Sequence, residues 1–167
     1  MMTQTLLTQE QLGHLQQQAD EFSKTFANAQ YEMGEAQKFI NALCMVDGVN
    51  WLHSVDFERR VKKANRRGIN RIDGFLPSLL LIEMKSAGED LDKAFEQALH
   101  YVQLLEKESD KPRHILVSDF QNLHLYELND RFTTELPDKT VKFTLADFRA
   151  NVEALAFMGG YERIIAE

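Results

Sequence analysis

One cysteine and eight glycines in 167 residues exclude several chemistries at once. A lone thiol, Cys44, cannot form an internal disulfide or a cysteine zinc site. Its apolar helical setting marks it as a small packed hydrophobe in a reducing compartment. No glycine-rich nucleotide or methyl-donor loop is present. No apolar run approaches membrane-spanning length, and residues 1–11 have neither a basic start nor an apolar centre, so a soluble, cytoplasmic protein with no membrane partner is expected. The histidines His14, His53, His100, His114 and His124 show no spacing that would build a zinc or HNH-type centre. Ser86 and Ser118 lack the setting of a nucleophile elbow. Without repeats, low-complexity tracts or long linkers, the length suits one domain with a sizeable core and no second full catalytic domain.

Positive charge is scarce overall but concentrated. The net charge is -7, yet Arg59, Arg60, Lys62, Lys63, Arg66, Arg67 and Arg71 fall in one stretch without an acid, so the rest of the chain carries twice the overall negative charge. Such segregation suggests a phosphate-binding strip, formed by Arg59, Lys62, Lys63, Arg66, Arg67 and Arg71, on a protein whose other surfaces disfavour loose nonspecific binding to DNA. The alternative is a solvated hairpin with basic outer positions.

Periodicity predicts the elements. Thr8 can cap a helix with Leu12, Leu15, Ala19, Phe22 and Phe26 on its apolar stripe. A second helix over 31–46 buries Ala36, Phe39, Ile40 and Leu43 and stops at Asp47-Gly48. Strands are expected at Phe57–Lys63, Ile69–Phe75 and Leu79–Lys85, the first pair turning through residues 64–68 and the second through Pro77-Ser78. A helix over 90–106 then presents Leu91, Ala94, Phe95, Ala98, Val102 and Leu105. Strands His114–Ser118 and Leu123–Leu128 follow, and a capped helix from Thr144 to about Met158 ends the series. A meander followed by a helical crossover describes an α/β fold, a mixed sheet with helices on both faces. Residues 1–30 are read as an amino-terminal helix and 31–167 as the main unit.

The chemistry concentrates between Asp73 and Lys85. Residues two apart on a strand share a face, so Glu83 and Lys85 point the same way at the end of a very apolar run. Burying charge is costly unless it is paired or coordinates a metal. If the hairpin folds Ile69–Phe75 back on this strand, Asp73 and Glu83 meet. Two carboxylates about 4 Å apart repel by roughly 1 kcal/mol in water and about 4 kcal/mol where screening is partial, a tension that a divalent cation relieves. The spacing therefore points to metal-dependent phosphodiester hydrolysis. The alternative is an edge strand with Glu83 and Lys85 as a surface pair worth about 0.2–1 kcal/mol.

Asp73, nine intervening residues and Glu83-Met84-Lys85 resemble the PD-(D/E)XK nuclease superfamily. More narrowly, Gly34-Glu35-Ala36-Gln37-Lys38-Phe39, Phe57-Glu58, Arg71-Ile72-Asp73, Ile82-Glu83-Met84-Lys85-Ser86 and Val117-Ser118-Asp119-Phe120 resemble the amino-terminal endonuclease domain of MmeI-like type II restriction-modification enzymes, over roughly residues 30 to 165. The resemblance implies a restriction-endonuclease-like fold acting on double-stranded DNA. The methyltransferase, with its S-adenosylmethionine, and the target-recognition parts would lie elsewhere in a longer polypeptide. It implies Mg²⁺, replaceable by Mn²⁺, on Asp73, Glu83 and the Met84 carbonyl, with Lys85 orienting the attacking water and 5′-phosphate products.

Glu35 is a further candidate because the family places an acid in this early helix; a glutamate there also simply suits the helix dipole. Gln97 and Tyr101, four apart on one helix side, resemble a supporting motif of RecB-like members, with Gln97 the candidate site residue; the alternative is a helix-border pair. Ser118-Asp119-Phe120 reads as a turn and speaks to fold more than chemistry. Cutting both strands suggests a transient dimer on DNA. The competing functions are a DNA-binding or regulatory module of the same fold that no longer cuts, and a freestanding repair or junction nuclease.

Overall fold

Every residue of the strand Leu80–Met84 is buried, and a strand apolar on both sides needs cover on both. The computed structural model, which describes residues 5–30, 32–48, 56–62, 69–105, 107–128, 139–159 and 161–162, supplies that cover. Its main sheet runs β2 (Asp56–Lys62), β3 (Ile69–Leu76), β4 (Leu80–Met84), β5 (His114–Ser118), β6 (Asn122–Glu127) and β7 (Lys139–Thr144), neighbours in space in the same order as in sequence. Only β4 and β5 pair in parallel. A parallel pair needs a long crossover, and α3 (Leu91–Leu104) provides it, capped by Asp90, whose carboxylate accepts from the Asp92 and Lys93 N–H groups. Outside this sheet β1 (Thr5–Leu6) pairs in parallel with β8 (Tyr161–Glu162).

Alternation along β4 sorts the core into two layers. Leu80, Ile82 and Met84 pack with α1 (Gln9–Thr25), α2 (Glu32–Val46) and the helical stretch after β7. Leu81, with Phe75, Ile115 and Val117, packs under Leu91, Ala94, Ala98 and Val102 of α3. The fold is thus α/β, a mixed sheet with helices on both faces. α1 begins as its sequence requires: the Thr8 hydroxyl accepts from the Gln11 N–H, and the Gln11 side chain accepts from the Thr8 N–H. Its Phe22 and Phe26 join Phe39, Phe120 and Phe148 in a chain of rings with centroids 4.9–5.4 Å apart. Edge and tilted contacts of this kind add to simple area burial.

The last helix differs from expectation. Instead of one α-helix from Thr144 to Met158, there is a 3-10 turn Leu145–Asp147, a single α-turn α4 (Phe148–Asn151) and a 3-10 stretch Val152–Gly159. Val152, Ala154, Leu155, Ala156 and Met158 are all buried, so apolar contacts surround the segment and no single amphipathic stripe sets its pitch. Thr144 makes no side-chain cap; its hydroxyl donates to the Asp147 carboxylate at 3.2 Å. The strand β7 and the β1–β8 pair were not anticipated. Of β7 only Phe143 is buried, a weak alternation for an edge strand. The expected turn at 64–68 lies outside the described residues. Among the described residues no helix is long and apolar enough to cross a membrane.

Candidate active site

The β3–β4 hairpin places the acids. Its turn closes with the Leu79 N–H donating to the Leu76 carbonyl at 3.0 Å, while the Ser78 N–H donates to the Asp110 carbonyl at 3.0 Å. The ladder then runs Leu76 to Leu80, Phe75 to Leu81 and Gly74 to Ile82, so continuing it sets Asp73 opposite Glu83. Residues opposite each other in an antiparallel pair share a face. Just past the last ladder pair, the Asp73 carboxylate accepts the Met84 N–H at 2.7 Å. A side-chain acid thus takes the place where a β3 backbone carbonyl would continue the sheet. The N–H and C=O of one strand residue leave on the same edge, so the Met84 carbonyl also faces the Asp73 side.

Glu83 is 5% exposed, which removes the reading of an ordinary surface pair. Lys85 Nζ lies 3.5 Å from Glu83 Oε1, and the Lys85 N–H donates to the Ser118 carbonyl at 2.8 Å, fixing the backbone just beyond β4. By alternation Asp73, Glu83 and Lys85 occupy the α3 face. Tyr101 of α3 senses both acids: burial, then the Glu83 and Asp73 charges, push its phenol up to about 12. One turn earlier, Gln97 lines a cleft of about 310 Å³ together with Lys85, Glu89, Asp90, Lys93 and Ala94. Gln97 and Lys85 therefore share one open space at the start of α3.

Other expected residues stand apart. Glu35 is half-buried on α2, which covers the opposite face, directly after Gly34 at φ +87°. The start of α2 does reach the same end of the sheet, because the Ala87 N–H donates to the Gln30 carbonyl at 2.8 Å. Yet among the described residues no three His, Cys, Asp or Glu side chains gather where they could hold a metal, so Glu35 is not joined to Asp73 and Glu83 in one group. Arg59 and Lys62 lie on β2 and Arg71 on β3, with their side chains outside the described set; Lys63, Arg66 and Arg67 lie outside the described residues altogether. Ser118-Asp119-Phe120 is a turn: Asp119 Oδ1 accepts the Asn122 N–H at 2.8 Å, the Ser118 hydroxyl donates to the Asn122 carbonyl at 2.7 Å, and Phe120, at φ +76°, drives its ring into the core. Cys44 is fully buried and its thiol is pushed up to about 12, first by burial, which leaves it inert.

Two features escaped the sequence reading. A second cleft of about 350 Å³ shares Glu89 and Asp90 with the first and extends to Asp119, His124 and Lys142. Asp47, read only as a helix stop, buries its carboxyl at 7% exposure. Neither carries a local pattern, since both depend on how distant elements pack.

The donor set suits a hard divalent cation. Asp73 and Glu83 offer carboxylate oxygens and Met84 a carbonyl on the same edge; Mg²⁺ takes oxygen ligands, keeps several waters and needs few protein groups. The Met84 N–H occupies one Asp73 oxygen, and a carboxylate has further lone pairs to give. A family model described as MmeI, N-terminal domain matches residues 15–167. No curated protein and no solved structure matches the chain.

Proposed function

Because the chain belongs to the MmeI N-terminal domain family, associated with type II restriction-modification enzymes, we propose that it is the DNA-cleaving domain of such an enzyme, a metal-dependent endonuclease of the PD-(D/E)XK kind. The observation that carries the reading is the Asp73 carboxylate seated on the Met84 N–H, which brings the acid of one strand against the Glu83-Met84-Lys85 segment of the next. In this reading residues 31–167 form the cleaving unit, 1–30 its amino-terminal helix, and the partners are double-stranded DNA and the rest of the polypeptide.

Asp73, Glu83 and the Met84 carbonyl would hold Mg²⁺ or Mn²⁺, which when bound supplies Lewis-acid polarisation of the phosphate and a more acidic water. The chain's own groups do the positioning. Glu83 pairs with the Lys85 ammonium at 3.5 Å, which favours its position at the end of β4. From there Lys85 orients the attacking water and offsets charge that develops on the phosphate oxygens, an effect strengthened where water is excluded. Gln97, which lines the same cleft as Lys85, would hydrogen-bond a water or a phosphate oxygen. In-line attack leaves a 5′-phosphate and a 3′-hydroxyl.

The test is nicking of supercoiled plasmid by high concentrations of the chain with Mg²⁺ or Mn²⁺, beside Asp73→Ala, Lys85→Ala and an EDTA control. Metal-dependent nicking lost in both variants is expected. Absence of nicking with either metal would overturn the autonomous nuclease.

A further inference from the structure

The cleft beside Lys85 holds a second ammonium group that the chemistry above does not use. Lys93 stands in the first turn of α3, and Gln97 is four residues on, so the two share a helix side. Both line the cleft of about 310 Å³ whose wall includes Lys85. That volume lies at the lower end of small-ligand pockets, which suits one sugar–phosphate unit. Each acid of the same cleft, though still charged, has one oxygen turned to backbone N–H groups: Glu89 Oε2 accepts the Ser86 N–H at 2.8 Å, and Asp90 Oδ1 accepts the Asp92 and Lys93 N–H groups at 3.0 and 3.2 Å. Lys93 itself is exposed and forms no ion pair among the described residues.

We propose that Lys93 is a DNA-positioning residue: its ammonium grips the backbone phosphate next to the one that reacts, seating the strand in the cleft between the end of β4 and the start of α3. The inference rests on the reading of the chain as a DNA-cleaving domain and adds a contact to it. Lys93, the Gln97 amide one turn away and Lys85 line one cleft, so a strand seated there would meet two ammonium groups and a hydrogen-bonding amide. Lys93 touches no reacting atom in this arrangement. It acts by fixing register, as phosphate contacts do, and carries no base information.

Duplex oligonucleotide binding tests it, with the whole chain and Ca²⁺ in place of Mg²⁺ or Mn²⁺, at several salt concentrations. Lys93→Gln is expected to weaken binding several-fold on unrelated sequences and to flatten the slope of log affinity against log salt by about 1. Lys93→Arg should keep both values. Lys24→Gln, which removes the same charge from the exposed last turn of α1, should leave both near those of the unaltered chain. Equal slopes for Lys93→Gln and the unaltered chain, an equal change in Lys24→Gln, or no measurable binding by the unaltered chain would each overturn the proposal. Nicking run in parallel separates the two ideas. Lys93-dependent binding without nicking leaves the phosphate contact standing and removes the autonomous nuclease, whereas nicking with Lys93-independent binding does the reverse.

Discussion

The end of β4 and the end of α2 each bury an acid, and the two acids live in opposite surroundings. Glu83, 5% exposed, faces the Lys85 ammonium at 3.5 Å and lies opposite Asp73 across the hairpin. Asp47, 7% exposed, has neither carboxylate oxygen in a hydrogen bond among the described residues. It also follows a helix C-terminus, where the dipole disfavours an anion. Burial therefore holds the Asp47 carboxyl well above the usual carboxylate range. Depth alone does not mark a working carboxylate. What separates the two is whether the fold brings a cation and a second acid to meet the first.

Paired neutralisations give the widest separation. If the end of β4 is the reacting centre, Glu83→Gln should lower plasmid nicking by about 10²–10³-fold, the scale on which a preorganised electrostatic group acts. Asp47→Asn should leave nicking unchanged, since burial already disfavours its charged form. Equal losses in the two would erase the distinction. Lys85→Arg comes next. It keeps the charge, but a longer, flat guanidinium presents its N–H groups differently beside Glu83, and misplacement near 1 Å costs on the order of 10²-fold. Activity close to that of the unaltered chain would mean that Lys85 contributes charge without position.

The same contrast has a signature in stability. The Asp47 pKa is raised in the folded chain, against roughly 3.9 when unfolded. Above that unfolded value the folded state binds more protons, so stability falls as pH rises from about 4 towards the raised folded value and levels off beyond it. The slope can reach about 1.4 kcal/mol per pH unit for one proton. Asp47→Asn removes this loss. Urea unfolding of both proteins between pH 4 and 8 should show curves that diverge as pH rises, with the variant the more stable. Parallel curves would show that Asp47 ionises freely in the fold.

Much of this arrangement was legible in sequence, for identifiable reasons. A period of two places Glu83 and Lys85 on one face, and Pro77-Ser78 marks the turn that returns Asp73 to them; both signals are local. The Thr8 cap and the stripe of α3 are equally local. The Asp73 contact to the Met84 N–H was not legible, because it depends on where the β3–β4 ladder stops. Which sheet face α2 covers, and with it the setting of Glu35, was also hidden, since it depends on long-range packing. Asp47-Gly48 reads as a helix stop and is one, with Gly48 at φ +75°. Burial of its carboxyl comes from packing that no window of the chain contains.

A close approach between α2, which ends just before Asp47, and β3, which carries Asp73, gives the smallest predicted effect. A Cβ at Gly74 would stand 3.0 Å from Ile40 Cδ1 and 3.2 Å from Ile40 Cγ2, so α2 sits on β3 at a distance that glycine allows. Ile40 is fully buried, with little room to turn away. Gly74→Ala should therefore cost about 1 kcal/mol of stability, at the low end for overpacking. Ile40→Val, which deletes the nearest carbon, should recover most of it in the double variant, a coupling that a mutant cycle in urea measures. Nicking should change little, because Asp73 is tied to the Met84 N–H. A loss of nicking far larger than the loss of stability would show the opposite: that the seat of α2 on Gly74 sets the position of Asp73, and that the two ends of the comparison are mechanically one.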